Sequence, residues 1–332
     1  MRHESIGGTV TVLVLGATGF VGGALVPALV RAGERVRAAS RRPPPRGAAE
    51  SAGVEWIQCD VRVASTLPRA MEGVECVYYL VHSMGDANRR EFRAIERRSA
   101  SNVARAAAAS GCRRIVYLGG VEPSGVPSEH LASRLEVGAI LRGGEVPAIE
   151  LRAAMIIGNG SASWRILRDL SLRLPLMLLP RWLESSSCPI ALEDVVTALL
   201  DARRVPLDAS RWYDIPGPEA LRAREMLMLV GDLRGRRIPA LRVPFLTPRL
   251  SAGWLKLVSG ADYGVARELV LGLRGHLLPR DDVYWQLTGH PPTRSFREAA
   301  RRALETEARG EGIGGWVAAG EERLVATLGR GS

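Results

Sequence analysis

Apolar residues along this 332-residue chain follow two alternating rhythms up to about residue 158. Short unbroken apolar runs alternate with segments where apolar residues return every three or four positions. Residues 10–15 (VTVLVL) are continuously apolar, as a parallel strand buried on both faces requires. Similar runs at Arg35–Ala39, Val54–Cys59, Glu75–Val81, Arg114–Leu118 and Ala148–Leu151 predict further strands. Between them the pattern predicts helices from the glycines at 16–23 to about Arg31 with Gly33 as stop, at Ser65–Met71 with Gly73 as stop, over Glu91–Ser110, and over Ser128–Leu141 behind a capping serine. In the third of these, Phe92, Ile95, Val103 and Ala106 keep near-helical spacing and Gly111 follows the end. Strands and helices alternating in this way predict an α/β fold built on a doubly wound parallel sheet.

Beyond about Gly158 the alternation weakens. Helices are predicted at 163–173, 193–203, 223–233 and Ser295–Arg309, with a strand at Arg211–Ile215. Residues 240–290, richer in Pro, Trp and Leu, predict a smaller lobe over the C-terminal edge of the sheet. The division expected is a dinucleotide-binding domain over 1–157 and a mixed region over 158–332 that completes the sheet and forms a substrate lobe. The uncharged run from Thr9 to Val30 is long enough to cross a bilayer, but Gly16, Gly19, Gly22, Gly23 and Pro27 break it into strand, turn and helix. No stable membrane span is expected, and the cytoplasm is the expected location.

The turn between the first strand and helix, LGATGFVGG, spaces Gly16, Gly19 and Gly22 as G-x-x-G-x-x-G. Gly16 permits the tight turn, Gly19 lets backbone N–H groups approach a pyrophosphate, and Gly22 allows close helix–strand packing. At the end of the second strand, where an NAD-specific protein carries an acid for the ribose diol, this chain has Ser40, Arg41 and Arg42. Two guanidiniums there suit a 2′-phosphate, so NADP is expected over NAD. Asp60, after the third strand, is placed to accept from an adenine amino group with Val61 beside the ring. Its alternative role is to cap the helix that follows.

Charge and composition narrow the chemistry. Lys and Arg total 45 against 35 Asp and Glu, a formal net charge of +10, yet the only lysine is Lys256. Leu255 and Leu257 flank it, so no GxxxxGK[ST] phosphate loop exists. The Tyr-xxx-Lys pair of ordinary short-chain dehydrogenases is excluded too, because position 252 is Ala. Arginines spread along the chain with only 5 % aromatics argue against a nucleic-acid binder. Cys59, Cys76, Cys112 and Cys188 are widely spaced, signalling neither zinc nor a disulfide frame.

In this order the motifs resemble an atypical, extended short-chain dehydrogenase/reductase of the NmrA-like, NAD(P)-binding branch bordering the nucleotide-sugar epimerases. TVTVLVLGATGFVGGALV resembles that family's cofactor loop and IQCDV its adenine contact; IVYLGGVEP, SEHLASRLEVGAILR, ELRAAMIIGNGSAS and PIALEDVVTALLDA follow in family order over roughly residues 9–230. The resemblance implies a Rossmann sheet and adds Thr18, Phe20 and Val21 to the cofactor loop. From CVYYLVHSMG it adds Leu80, Val81 and His82 at the nicotinamide ribose, with Ser83 beside them.

The departure lies at the active site. Catalytic members carry a Ser/Thr after the fifth strand and Tyr-xxx-Lys on the next helix; here Gly119 and Gly120 end the strand, and His130 and Arg134 stand at the Tyr and Lys spacing. His130 is the candidate general acid, Arg134 the candidate ribose anchor, and Glu122 a further polar candidate. The function expected is an NADP-dependent oxidoreductase acting on a small, apolar substrate. The alternatives are a non-catalytic NAD(P)H-binding redox sensor or scaffold, with a protein partner or a second copy, and a nucleotide-sugar epimerase or dehydratase. No metal is expected.

Overall fold

The computed structural model describes residues 11–42, 53–82, 89–173, 177–179, 184–236, 240–242 and 275–310. Seven parallel strands form one sheet: β1 (Thr11–Leu15), β2 (Arg35–Ser40), β3 (Val54–Gln58), β4 (Cys76–Tyr79), β5 (Arg114–Gly120), β6 (Ala148–Ala153) and β7 (Arg211–Asp214). Their order across the sheet is β7-β6-β5-β4-β1-β2-β3. The winding direction reverses between β1 and β4, and a crevice outside the carboxyl ends of the strands opens at such a switch point.

Successive strand residues point to opposite faces, which gives the sheet two cores. On one face Val12, Val14, Tyr78, Val116 and Leu118 meet Leu25 and Leu29 of helix α1 (Phe20–Arg31). On the other, Leu13, Leu15, Tyr79, Ile115 and Tyr117 meet α2 (Leu67–Met71), α3 (Arg89–Ala109) and α4 (Glu129–Arg142). Ser128 caps α4 as its sequence predicts, its hydroxyl accepting from the Leu131 N–H at 3.3 Å.

A third core joins α5 (Ala162–Arg173), α7 (Ala223–Leu233) and the helix at Phe296–Ala308 through Trp164, Met226, Leu227, Val230, Phe296 and Ala300. The later half of the chain also returns to the main sheet. Helix α6 (Leu192–Ala202) and the helix at Val283–Thr288 cover its first face. Tyr284 donates to the Ala198 carbonyl at 2.6 Å and Trp285 to the Pro216 carbonyl at 3.1 Å. This part of the 240–290 stretch is therefore core to the sheet rather than lobe, because its two large aromatics are buried there. Residues 243–274 of the expected lobe lie outside the described residues.

The far end of the sheet carries a buried charge. Glu150 on β6 is fully buried and pairs with Arg142 of α4 and, at 3.0 Å, with Arg152. A Cβ on Gly138 would fall 2.4 Å from its Oε2, and one on Gly119 would fall 2.6 Å from its Oε1. The carboxylate thus occupies the space that both glycines leave. The arginines offset its desolvation, so removing it strands Arg142 and leaves Arg152 with Glu122 alone, at 3.6 Å. Glu150→Ala should lower the unfolding free energy by about 3–5 kcal/mol. Urea unfolding would measure this, and a loss below about 1 kcal/mol would show that the pair is dispensable.

Candidate functional site

Gly16 ends β1 with φ +88°, and a Cβ there would sit 2.9 Å from the Leu80 carbonyl at the end of β4. The turn therefore tucks into the β1/β4 switch point. Gly19 is the N-cap of α1, in extended conformation and without any side-chain cap, and no acid stands in the first turn. The first N–H groups of α1 thus face the crevice with the positive end of the helix dipole behind them. A Cβ on Gly22 would fall 2.2 Å from the Gly16 carbonyl oxygen, so only glycine lets the helix begin this close to the strand. Thr18 is exposed, while Phe20 packs on the loop after β6, within 3.0 Å of a Cβ placed at Gly158. Turn and helix end together fit a pyrophosphate: open backbone donors, no competing carboxylate, and a concavity that side chains would fill.

At the end of β2, Ser40 is buried and its hydroxyl donates to the Arg42 carbonyl, while the side chains of Arg41 and Arg42 are exposed. Asp60 is already engaged: Arg62 reaches both its oxygens at 3.0 Å, and this guanidinium holds the Asp60 carboxyl below the usual carboxylate range. Val61 is buried behind it, its carbonyl accepting from Asn102 at 3.1 Å. The helix-capping role weighed for Asp60 reduces to one contact, from the Arg62 N–H at 3.0 Å. The 3₁₀ turn at Ala64–Thr66 has no side-chain cap.

Leu80, Val81 and His82 continue β4 into the crevice; Ser83 lies outside the described residues. The His82 and His130 rings stand 6.4 Å apart, edge to face, and Phe92 of α3 stacks on His130 at 6.2 Å. The spacing of His130 and Arg134 on α4 thus delivers His130 to His82. Arg134 turns down instead, donating to the carbonyls of Leu118 at 2.9 Å and Gly119 at 3.0 Å. Its buried Nε has no hydrogen-bond partner. Glu122 points away to the sheet edge, toward Arg280 at 2.6 Å and Arg152 at 3.6 Å.

The two glycines that end β5 are closely packed by neighbouring side chains. A side chain on Gly119 would meet Glu150, and one on Gly120 would meet Leu131 Cδ1 at 2.7 Å. Neither position accepts the Ser/Thr of catalytic relatives without repacking.

Burial, then the nearby Arg134 cation and His82, push His130 down to about 3. His82 is lowered by burial and by Arg134, against the pull of Glu96. His130 as an imidazolium acid is therefore corrected: at neutral pH the ring is uncharged and offers an N–H rather than a spare proton. Sequence inspection passed over Glu96, whose only signal was an acid four residues after Phe92 on the apolar stripe of α3.

These shifts set a pH dependence. An unfolded chain takes protons on His130 near pH 6.5 that the folded chain refuses until about 3, so the associated stability is present above 6.5 and is lost as pH falls toward 3. The drop in urea midpoint between about pH 7 and 4.5 should be smaller in His130→Gln than in the unaltered chain. Identical slopes would contradict the buried, neutral ring.

The family model for the NAD dependent epimerase/dehydratase family matches residues 12–138. Sterol demethylase protein B of Methylococcus capsulatus is 35 % identical over 127 residues, 36 % of this chain and 39 % of that protein, so the match spans under half of that relative. The (4-alkanoyl-5-oxo-2,5-dihydrofuran-3-yl)methyl phosphate reductase of Streptomyces griseus is 27 % identical over 291 residues, 86 % of this chain and 95 % of that protein. Among solved structures, MoeE5 in complex with UDP-glucuronic acid and NAD superposes with a TM-score of 0.69 at 20 % identity, covering 90 % of this chain and 99 % of that one, a likeness of fold. The matched residues 12–138 hold the strands and helices that carry the glycine turn and the two histidines, and this likeness to the NAD dependent epimerase/dehydratase family is in keeping with the extended short-chain dehydrogenase/reductases that the motifs resemble.

Proposed function

We propose that the chain is an NADP(H)-dependent oxidoreductase that interconverts a small apolar carbonyl compound and its alcohol. The observation that carries this reading is the uncapped start of α1 at the switch point, with His82 and His130 gathered beside the same crevice. A relative that is a reductase and another whose name concerns a sterol support the reaction class and an apolar substrate.

The nicotinamide, when bound, supplies the hydride. The protein supplies the rest: the α1 N–H groups hold the pyrophosphate, and Asp60 and Val61 lie beside the adenine. Arg134 lies beneath this face, its guanidinium held by the Leu118 and Gly119 carbonyls. His130, neutral, donates its N–H to the substrate oxygen and stabilises the charge that develops there. For the 2′-phosphate, Arg41 and Arg42 are the exposed cations at the end of β2. A ribose diol would find no acid there, since Asp60 is held by Arg62. NAD in the MoeE5 structure weighs toward the diphosphopyridine form, so the two cofactors are compared directly.

One observation favours a second reading, a binding protein that senses the reduced cofactor without turnover: both histidines are held away from their charged forms. Fluorescence titration with NADPH and NADH, followed by assay against apolar ketones and aldehydes, separates these. NADPH should bind at least about tenfold more tightly than NADH, and the double substitution Arg41→Ala, Arg42→Ala should erase the difference by weakening NADPH alone. Equal affinities in the unaltered chain would sink the NADP preference. With an active substrate, His130→Ala should cut kcat by about 10²-fold; an unchanged kcat would remove His130 from the reaction. Tight binding with no turnover on any carbonyl would favour the sensor.

A further inference from the structure

We propose that Glu96 is a positioning residue for this two-histidine site: its carboxylate fixes the tautomer of His82, and so decides which ring nitrogen His82 offers toward His130. The placement stands on the described geometry; its catalytic consequence rests on the oxidoreductase reading above.

Glu96 is only 2 % exposed and stands on α3 among apolar neighbours, where an alanine or leucine would satisfy the helix pattern. Burying a carboxylate costs several kcal/mol unless partners offset it. The partner on β4 is His82, whose Nδ1 lies 3.9 Å from Glu96 Oε2. That exceeds a hydrogen bond, but a shift of under about 1 Å closes it, as catalytic contacts commonly do when ligand binds. A second observation marks the same spot. The Tyr79 hydroxyl is wholly buried without a hydrogen-bond partner, and its proton is held more tightly by burial and by the Glu96 charge.

The groups around His82 are Glu96 from α3, Tyr117 and the Leu118 carbonyl from β5, and His130 with Arg134 from α4. Arg134 and burial keep the ring neutral, so it carries one proton while facing two acceptors, the Leu118 carbonyl and the Glu96 carboxylate. A charged acceptor outcompetes a neutral one for that proton, which places it on Nδ1 and leaves Nε2 as the nitrogen that receives. In the reduction, one carbonyl, one reduced nicotinamide and one solvent proton give one alcohol and one oxidised nicotinamide. The substrate carbon takes the hydride and its oxygen the solvent proton, while the His130 N–H hydrogen-bonds that oxygen as charge develops on it. His82, holding Nδ1–H against Glu96, presents Nε2 as an acceptor beside His130 and so sets how that ring is oriented toward the substrate.

Imidazole ¹⁵N NMR of the cofactor-free chain reads the tautomer directly, and the five histidines are few enough to assign with a His82→Asn variant. Between about pH 6 and 8, His82 should carry its proton on Nδ1. Glu96→Gln should lose that preference, and Glu96→Asp, which keeps the charge, should restore part of it. An unchanged tautomer ratio in Glu96→Gln overturns the proposal, whatever the activity. Where a carbonyl substrate turns over, Glu96→Gln should lower kcat by about 10²-fold while KM and NADPH affinity stay within about twofold. Equal losses in all three would reduce Glu96 to a structural residue. A Glu96-dependent tautomer in a chain with no turnover would leave this assignment standing and reject the oxidoreductase reading instead.

Discussion

The contact between Gly22 and the carbonyl of Gly16 governs how the rest of the molecule can be arranged. Helix α1 starts so near the end of β1 that one methyl group would lie 2.2 Å from a backbone oxygen. That proximity seats the helix on the sheet through Leu25 and Leu29 and turns its first N–H groups into the crevice. It also brings Gly16 against the Leu80 carbonyl, which sets where β4 ends and therefore where His82 stands. Backbone packing, rather than any charged side chain, creates the anion-binding end of this site.

Three buried or half-buried charges then shape what surrounds it. Glu150 fills the space beneath Gly119 and Gly138 and is balanced by Arg142 and Arg152. Arg134 binds the Leu118 and Gly119 carbonyls of β5 and adds its field to the burial that keeps both histidines neutral. Glu96 opposes that field from α3. The site that results differs in kind from a tyrosine–lysine pair. It has a permanent cation that cannot exchange protons, two neutral imidazoles, and a carboxylate behind one of them.

Much of this was legible along the chain. The apolar and β-branched runs named all seven strands of the sheet to within two residues at most ends, most plainly in β1 and β4, which are buried on both faces and almost continuously apolar. Ser128 and Ser295 marked the starts of their helices; the Ser128 hydroxyl caps as expected, and the Ser295 hydroxyl does so as well, accepting from the Glu298 N–H. The strand at β4 ends at Tyr79, earlier than its pattern suggested, although the Leu80 N–H still donates to the Leu15 carbonyl at 3.0 Å. The aromatic pair Tyr284 and Trp285, by contrast, joins the sheet core some seventy residues after β7, a long-range contact that no local period encodes.

Sequence alone determined the doubly wound order of elements, the glycine turn, and the loss of the Tyr-xxx-Lys pair, because each depends on residue type and short spacing. Tertiary structure decided the chemistry of what replaced that pair. Whether His130 titrates near 6.5 or near 3 depends on burial and on a guanidinium brought to it by the fold. Whether Arg134 reaches a ligand or a backbone carbonyl depends on the end of β5 beneath it. Whether position 119 can carry a hydroxyl depends on a glutamate on the neighbouring strand, thirty-one residues away in sequence. Electrostatic and steric effects act through space, and only the folded chain sets those distances.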